Sequence, residues 1–372
     1  MNDRIRALRP YPMLELLRRK EELKARGVEL LDFGTGDPLE PTAALIREAF
    51  ARAVPKVSQY PSVQGGLELR ESFCAWFQRR FGVRLDPEAE VLPTRGSKEA
   101  MFHLPLILLD PSQGKRAVLY PEPGYPVMEI GSLYAAADTQ PFVLDEGNRY
   151  LMAPPGDLER TGIVWLSYPH NPSGQDLPDE LFEAWVSARE RHGFVLCSDE
   201  CYTELYFRRK PRSLLEFGRQ GCLVFHSLSK RSGMTGYRSG MIAGDAELID
   251  ACRRYRAAMG QAMPLPCQAA SVAAWSDEQH VESRRRVFGE KRDCMIRGLE
   301  RLGLELFPST STFYLWVRVP GGEKDEGYAR WLLDRGILVS PGSFFGRGND
   351  RWFRIALVPS LGACREALAR WA

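Results

Sequence analysis

Cys222-Leu-Val-Phe-His226-Ser227-Leu-Ser229-Lys230-Arg-Ser-Gly-Met-Thr-Gly236-Tyr-Arg238 begins as an unbroken apolar run and turns into a polar loop punctuated by glycine. A short, continuous apolar run reads as a strand covered on both faces. A lysine just past the end of such a strand lies where open α/β sheets take their ligands. A lone lysine is usually solvated surface, but these neighbours argue otherwise. Ser227 and Ser229 place hydroxyls on alternate residues, and Arg238 follows a Gly-Met-Thr-Gly bend. Hydroxyls and a guanidinium fork around one lysine suit a phosphate, whose oxygens Arg meets in bidentate fashion.

Similar runs surround this one: Arg116 to Tyr120, Gly162 to Ser167, Gly193 to Ser198 and Ser239 to Ala243. Helix-like segments alternate with them. Leu177 to Arg191 is one, with Asp176 or Pro178-Asp179 to start it and His192-Gly193 to end it. The alternation predicts a layered α/β fold with a largely parallel sheet. Pro266 to Leu302 reads as helical with an interruption near Trp275-Ser276-Asp277. Beyond it lie strand-like Thr312 to Arg318, a helix near Glu326 to Arg335, Ile337 to Ser340 and Trp352 to Val358. These predict a smaller α+β domain, joined by the N-terminal 35 residues with their amphipathic helix from about Met13 to Arg26. The expected partition is a large domain over 40–265 and a small one over 1–35 and 290–372, linked by the helical stretch near 266–302.

With 372 residues, 44% hydrophobic and 26% charged, the chain can bury a large core. Lys and Arg number 50 against 48 Asp and Glu, a net charge of +2 that gives no basic field for nucleic acid. The cysteines at 74, 197, 201, 222, 252, 267, 294 and 364 include no Cys-x-x-Cys pair, so neither a zinc ribbon nor a thioredoxin-like motif is present. Reduced thiols and no metal are expected. Met1 to Pro12 is too charged for a signal peptide, and no stretch reaches the ~18 apolar residues of a membrane span. A cytoplasmic protein without membrane or nucleic-acid partners is expected.

Two further strand ends carry polar residues. Leu196-Cys-Ser-Asp199-Glu-Cys-Tyr202 sets an acid at the end of a buried run, costly unless it meets a cation. A helix cap or an internal ion pair would explain it equally, and Tyr202 alone reads as core. Ser167-Tyr-Pro-His-Asn171-Pro-Ser-Gly174 is a turn by composition.

In this order and at these intervals, Asn-Pro-x-Gly, Ser-Asp-Glu-x-Tyr and Ser-x-Ser-Lys with Gly-x-Arg resemble the class I/II pyridoxal-phosphate aminotransferases over essentially the whole chain. The resemblance implies an aspartate-aminotransferase-like α/β fold, with a mostly parallel seven-stranded sheet between helices plus a smaller α+β domain. It also implies pyridoxal 5'-phosphate as cofactor. Lys230 then matches the Schiff-base lysine that also moves the proton in the 1,3-shift. Asp199 matches the partner of the pyridine nitrogen, and Asn171 and Tyr202 match donors to the ring phenolate oxygen. Tyr125, in Pro121-Glu-Pro-Gly-Tyr125-Pro, matches the stacking aromatic.

The phosphate is expected on the amides of Arg95-Gly96-Ser97-Lys98-Glu99, which open a helix after Val91-Leu-Pro, with help from Ser227, Ser229 and Arg238. Ser97 can also simply cap that helix, and the Lys98 side chain can face solvent. Tyr60, in Ser58-Gln-Tyr60-Pro, matches a tyrosine that reaches the neighbouring subunit's phosphate, implying a homodimer with shared sites. Arg354, in Trp352-Phe-Arg354-Ile-Ala-Leu, matches the fork for the substrate α-carboxylate. The alternative is an edge arginine with its head in water. Gly36, in Phe33-Gly-Thr-Gly36-Asp-Pro38, matches a glycine at the substrate mouth.

Tyr60 to Arg70, Arg95 to Glu99, Ser198 to Tyr202, His226 to Lys230 and Ile337 to Gly346 are most similar to the N-succinyldiaminopimelate aminotransferases of bacterial lysine biosynthesis. That likeness implies glutamate as amino donor and N-succinyl-2-amino-6-oxopimelate as acceptor. It calls for cations in the outer pocket, with Lys98, Arg4, Arg6 and Arg9 as candidates. The alternatives are transamination of aromatic, branched-chain or acidic amino acids, or C–S lysis on the same scaffold.

Overall fold

The computed structural model describes residues 12–110, 112 and 114–371. Seven strands form the central sheet: β1 (Val91–Thr94), β2 (Ala117–Glu122), β3 (Asp138–Val143), β4 (Thr161–Ser167), β5 (Val195–Asp199), β6 (Cys222–Ser227) and β7 (Gly240–Gly244). Their order is β1-β7-β6-β5-β4-β2-β3. Only β7 runs antiparallel to its neighbours. Alternate residues of one strand enter different cores. Ile163 and Trp165 of β4 join one cluster, with Trp165 5.1 Å from Phe225, while Val164 and Leu166 join another. Both faces of the interior strands are covered, so these strands stay largely apolar until they end. The edge strand β3 carries no signal in the sequence, since exposed Gln140 and Val143 leave no apolar run.

The helix expected over 177–191 spans Asp179–His192 and stops where Gly193 turns left-handed at φ +66°. Asp176 does not start it: its carboxylate accepts from Thr310 Oγ1 at 2.7 Å and Ser311 Oγ at 2.9 Å instead. The long helical stretch is two helices, Leu265–Ser276 and Gln279–Arg301. Asp277 is extended between them and caps the second by accepting the His280 amide at 2.8 Å.

A second core gathers around three antiparallel strands ordered Ser340–Pro341, Trp352–Ala356 and Tyr314–Arg318. Phe313, Leu315, Phe353 and Ile355 pack there with Phe288, Met295 and Leu299 of the second helix. Leu31–Asp32 pairs in parallel with Ile337–Leu338, so the early and late parts of the chain share this body. The N-terminal helix is Pro12–Ala25. All eight cysteines are free thiols. Among the described residues no helix is long and apolar enough to cross a membrane.

One close approach fixes how two helices sit on the sheet. A Cβ at Gly131, in Val127–Tyr134, would lie 2.5 Å from the Phe102 carbonyl oxygen of Ser97–Leu108. Gly131→Ala therefore forces that pair apart and is expected to destabilise by about 1–3 kcal/mol. Thermal unfolding followed by circular dichroism should show a melting point several degrees lower with an unchanged folded spectrum; an unchanged melting point would show that the joint yields.

Candidate active site

Parallel strands end together at one edge of the sheet, and three of them deliver the site. The registers Ser167↔Asp199 and Asp199↔Phe225 set the ends of β4, β5 and β6 side by side. Asn171, Tyr202 and Lys230 follow within a few residues. They line a cavity of about 360 Å³ together with Ser97, Tyr125, Ser227, Ser229, Arg238, Gly36 and Arg354. Thus sites scattered from residue 36 to 354 are brought to one space.

Lys230 sits in the short helix Leu228–Arg231, whose start is capped by Ser227 Oγ accepting the Ser229 amide at 3.2 Å. Its Nζ donates to the Gly36 carbonyl at 2.5 Å. Asp199 is buried and accepts from the Cys201 amide at 3.2 Å. Burial pushes its carboxyl above the ordinary range, against the pull of the Cys201 bonds and nearby His226. No ion pair to it forms among the described residues, so it is an internal acid that faces the cavity without a cation of its own.

Arg354 is 3% exposed, which rules out an edge arginine reaching water. It donates to Asn171 Oδ1 at 3.0 Å and to the Gly34 carbonyl at 2.8 Å. Its guanidinium lies 4.1 Å from the Tyr314 ring centre and 4.5 Å from that of Phe345. These partners are neutral, and no acid pairs with it among the described residues. A buried guanidinium of this kind fits an incoming carboxylate. With Asn171 Oδ1 occupied, the amide nitrogen of Asn171 is left for the cavity.

The helix Ser97–Leu108 points its N-terminus at the same space. Gly96 has φ +87°, and a Cβ there would come within 2.5 Å of Arg238 Nη2, so the guanidinium rests where only glycine permits. Ser97 does not cap the helix: Gly96 occupies that position without a side-chain bond, and Ser97 Oγ accepts from Cys201 Sγ at 3.1 Å. Free amides, a dipole end, hydroxyls and Arg238 together suit a phosphate. Lys98 is exposed, with its ammonium 5.7 Å from the Tyr125 ring centre. Gly36 is needed because a Cβ would overlap the Tyr314 hydroxyl.

Tyr60 stands apart, wholly exposed and outside this cavity. Arg4, Arg6 and Arg9 lie outside the described residues. Tyr314, Cys201, Ser340, Phe344 and Phe345 line the cavity without having been singled out in the sequence. Tyr314 lies in an apolar strand and reads there as core. Its hydroxyl is 2.9 Å from that of Tyr202, whose phenol burial drives well above its usual range.

The family model described as aminotransferase class I and II matches residues 28–370. The LL-diaminopimelate aminotransferase of Aquifex aeolicus is 35% identical, covering 99% of this chain and 97% of its own. An aspartate aminotransferase single mutant from Thermus thermophilus superposes with a TM-score of 0.92 at 26% identity, over 100% of this chain and 98% of that one. A probable N-succinyldiaminopimelate aminotransferase from Thermus thermophilus gives 0.89 at 28% identity, over 96% and 98%.

The raised carboxyl of Asp199 has a stability consequence. Folded protein holds this proton more tightly than unfolded chain does, so stability falls as pH rises from the ordinary carboxylate value near 3.8 through the shifted one. The penalty is absent below the ordinary value and grows as pH rises above it. Without added ligand, Asp199→Asn is therefore expected to melt above the parent at pH 7, with the gap closing toward pH 4. A variant that melts lower at pH 7 would contradict an unpaired acid.

Proposed function

The chain belongs to the class I and II aminotransferases, enzymes that depend on pyridoxal 5'-phosphate, and from that premise we propose which residues hold the cofactor and what is aminated. Bound, the cofactor supplies an aldehyde that receives the amino nitrogen and a protonated ring that draws electrons from the substrate Cα–H bond. The residues present fit it: an anion site at a helix N-terminus, and an internal acid lacking a cation at the far side.

The observation that carries the assignment is Asp199, a buried carboxylate in the cavity with no positive partner of its own. It would keep the ring nitrogen protonated. Gly96, Ser97, Lys98, Ser227, Ser229 and Arg238 would hold the phosphate, and Tyr125 would stack on the ring. Asn171, through its amide nitrogen, and Tyr202 would donate to the ring oxygen. Lys230 Nζ would anchor the aldehyde carbon and, once displaced, carry the proton taken from the substrate Cα. Transfers of this kind typically contribute 10²–10⁴-fold in rate. Arg354 would fork onto the α-carboxylate beside Gly36, exchanging neutral partners for a charged one.

Tyr60, with exposed Val54, Val57 and Leu39 nearby in sequence, supports a homodimer in which it serves the partner's phosphate. Residues 40–265 would form the cofactor domain, and 1–35 with 290–372 the small one.

For substrate we take glutamate as donor and N-succinyl-2-amino-6-oxopimelate as acceptor, in diaminopimelate formation. The Thermus protein of that description supports it. A second reading, free LL-diaminopimelate, is favoured by the names of the curated relatives. Lys98 and Asp37 line the same cavity with opposite charges, which suits a distal carboxylate and ammonium.

Rapid mixing of the yellow enzyme with N-succinyl-diaminopimelate, LL-diaminopimelate, glutamate, phenylalanine and leucine, each alone, decides between them. Fast bleaching by glutamate and the succinylated compound is expected. Bleaching by LL-diaminopimelate instead selects the second reading, and bleaching by phenylalanine or leucine alone removes both. Lys230→Ala should lose the lysine-bound chromophore, and Arg354→Lys should raise KM about 10–100-fold through loss of a charged, bidentate contact.

A further inference from the structure

We propose that Tyr314 is a positioning residue that joins Tyr202 to Arg354, donating its hydroxyl hydrogen to Tyr202 while its ring supports the Arg354 guanidinium. The proposal rests on the cofactor assignment made above for Tyr202.

Three separate contacts converge on this side chain. Its hydroxyl is 2.9 Å from Tyr202 Oη. Its ring centre is 4.1 Å from the Arg354 guanidinium carbon. Its hydroxyl also fills the space that a Cβ at Gly36 would need, while the Gly36 carbonyl accepts from Lys230 Nζ at 2.5 Å. Register explains the second contact. Tyr314 faces Ala356 and Arg354 faces Trp316 across an antiparallel pair, so Tyr314 and Arg354 are diagonal neighbours on one face. Tyr202 comes from the other body, just beyond β5. One tyrosine therefore touches the residue assigned to the cofactor oxygen and the residue assigned to the substrate carboxylate.

The direction of the hydroxyl pair follows from counting protons. A phenol has one hydrogen to donate and lone pairs to accept with. Tyr202 can give its hydrogen to the cofactor oxygen only if it accepts from Tyr314. Acceptance polarises the Tyr202 O–H and makes it the stronger donor. The groups facing Tyr202 are Tyr314, Arg354 and Asp199, with Cys201 its chain neighbour and Lys230 in the same cavity. Arg354 favours the ionised phenol, and Asp199 and Tyr314 oppose it.

The test is a pH titration of the visible absorbance of cofactor-loaded enzyme, for Tyr314→Phe and Tyr314→Leu, each with Tyr202 intact and with Tyr202→Phe. Weaker donation to the ring oxygen lets the lysine-bound nitrogen hold its proton more tightly. Tyr314→Phe should therefore move the midpoint upward by about one pH unit. Because Phe keeps the ring, KM for the amino donor should stay within about twofold; Leu should move the midpoint alike and raise KM about tenfold. In the Tyr202→Phe background, adding Tyr314→Phe should move the midpoint by less than about a quarter of that amount. An unmoved midpoint in Tyr314→Phe, or a full shift that persists without the Tyr202 hydroxyl, overturns the proposal. Failure of the parent protein to take up the chromophore instead overturns the cofactor assignment beneath it, and this proposal with it.

Discussion

An acid and a guanidinium, Asp199 and Arg354, lie inside this protein without a counterion of opposite sign from the described chain. Burying either group alone is expensive, and pairing the two with each other would fill the very space that ligands need. The fold keeps them apart. Asp199 is held by a backbone amide at a strand end, and Arg354 by Asn171, a carbonyl and two aromatic faces. These neutral contacts hold each group in place and leave its charge uncancelled.

The scaffold that allows this is the two-faced parallel sheet. Its interior strands are largely apolar because both sides are covered, and polarity returns where they end. The second core then closes the cavity from the opposite side and brings Arg354 and Tyr314 on one face of a short antiparallel sheet. Opposing demands are divided between two bodies: one holds the acid and the anion site, the other the guanidinium.

Much of this was legible in the sequence because it depends on local pattern. Buried strands announce themselves by unbroken apolar runs, and Lys230, Asp199 and Asn171 mark the points where the runs stop. What stayed hidden depends on contacts between distant segments. The β3 edge is half-exposed and carries no run. Ser97 reads as a helix cap, but the cap is glycine and the hydroxyl turns to Cys201. Tyr314 sits in a core strand where an aromatic needs no explanation, and only the fold shows its hydroxyl against Tyr202. Asp176 has the right type and place to begin a helix, yet residues far along the chain claim its carboxylate.

The polar contacts of the site span great distances along the chain. Gly34 meets Arg354, Gly36 meets Lys230, and Asn171 meets Arg354. During synthesis the central sheet, complete at Gly244, can form while the remainder is still being made. The two carbonyls among the earliest residues must wait for partners that arrive much later, one of them near the end of translation. Ribosome-bound chains stalled before residue 354 would carry a finished sheet and the residues assigned to the cofactor, yet would lack the guanidinium assigned to the substrate carboxylate.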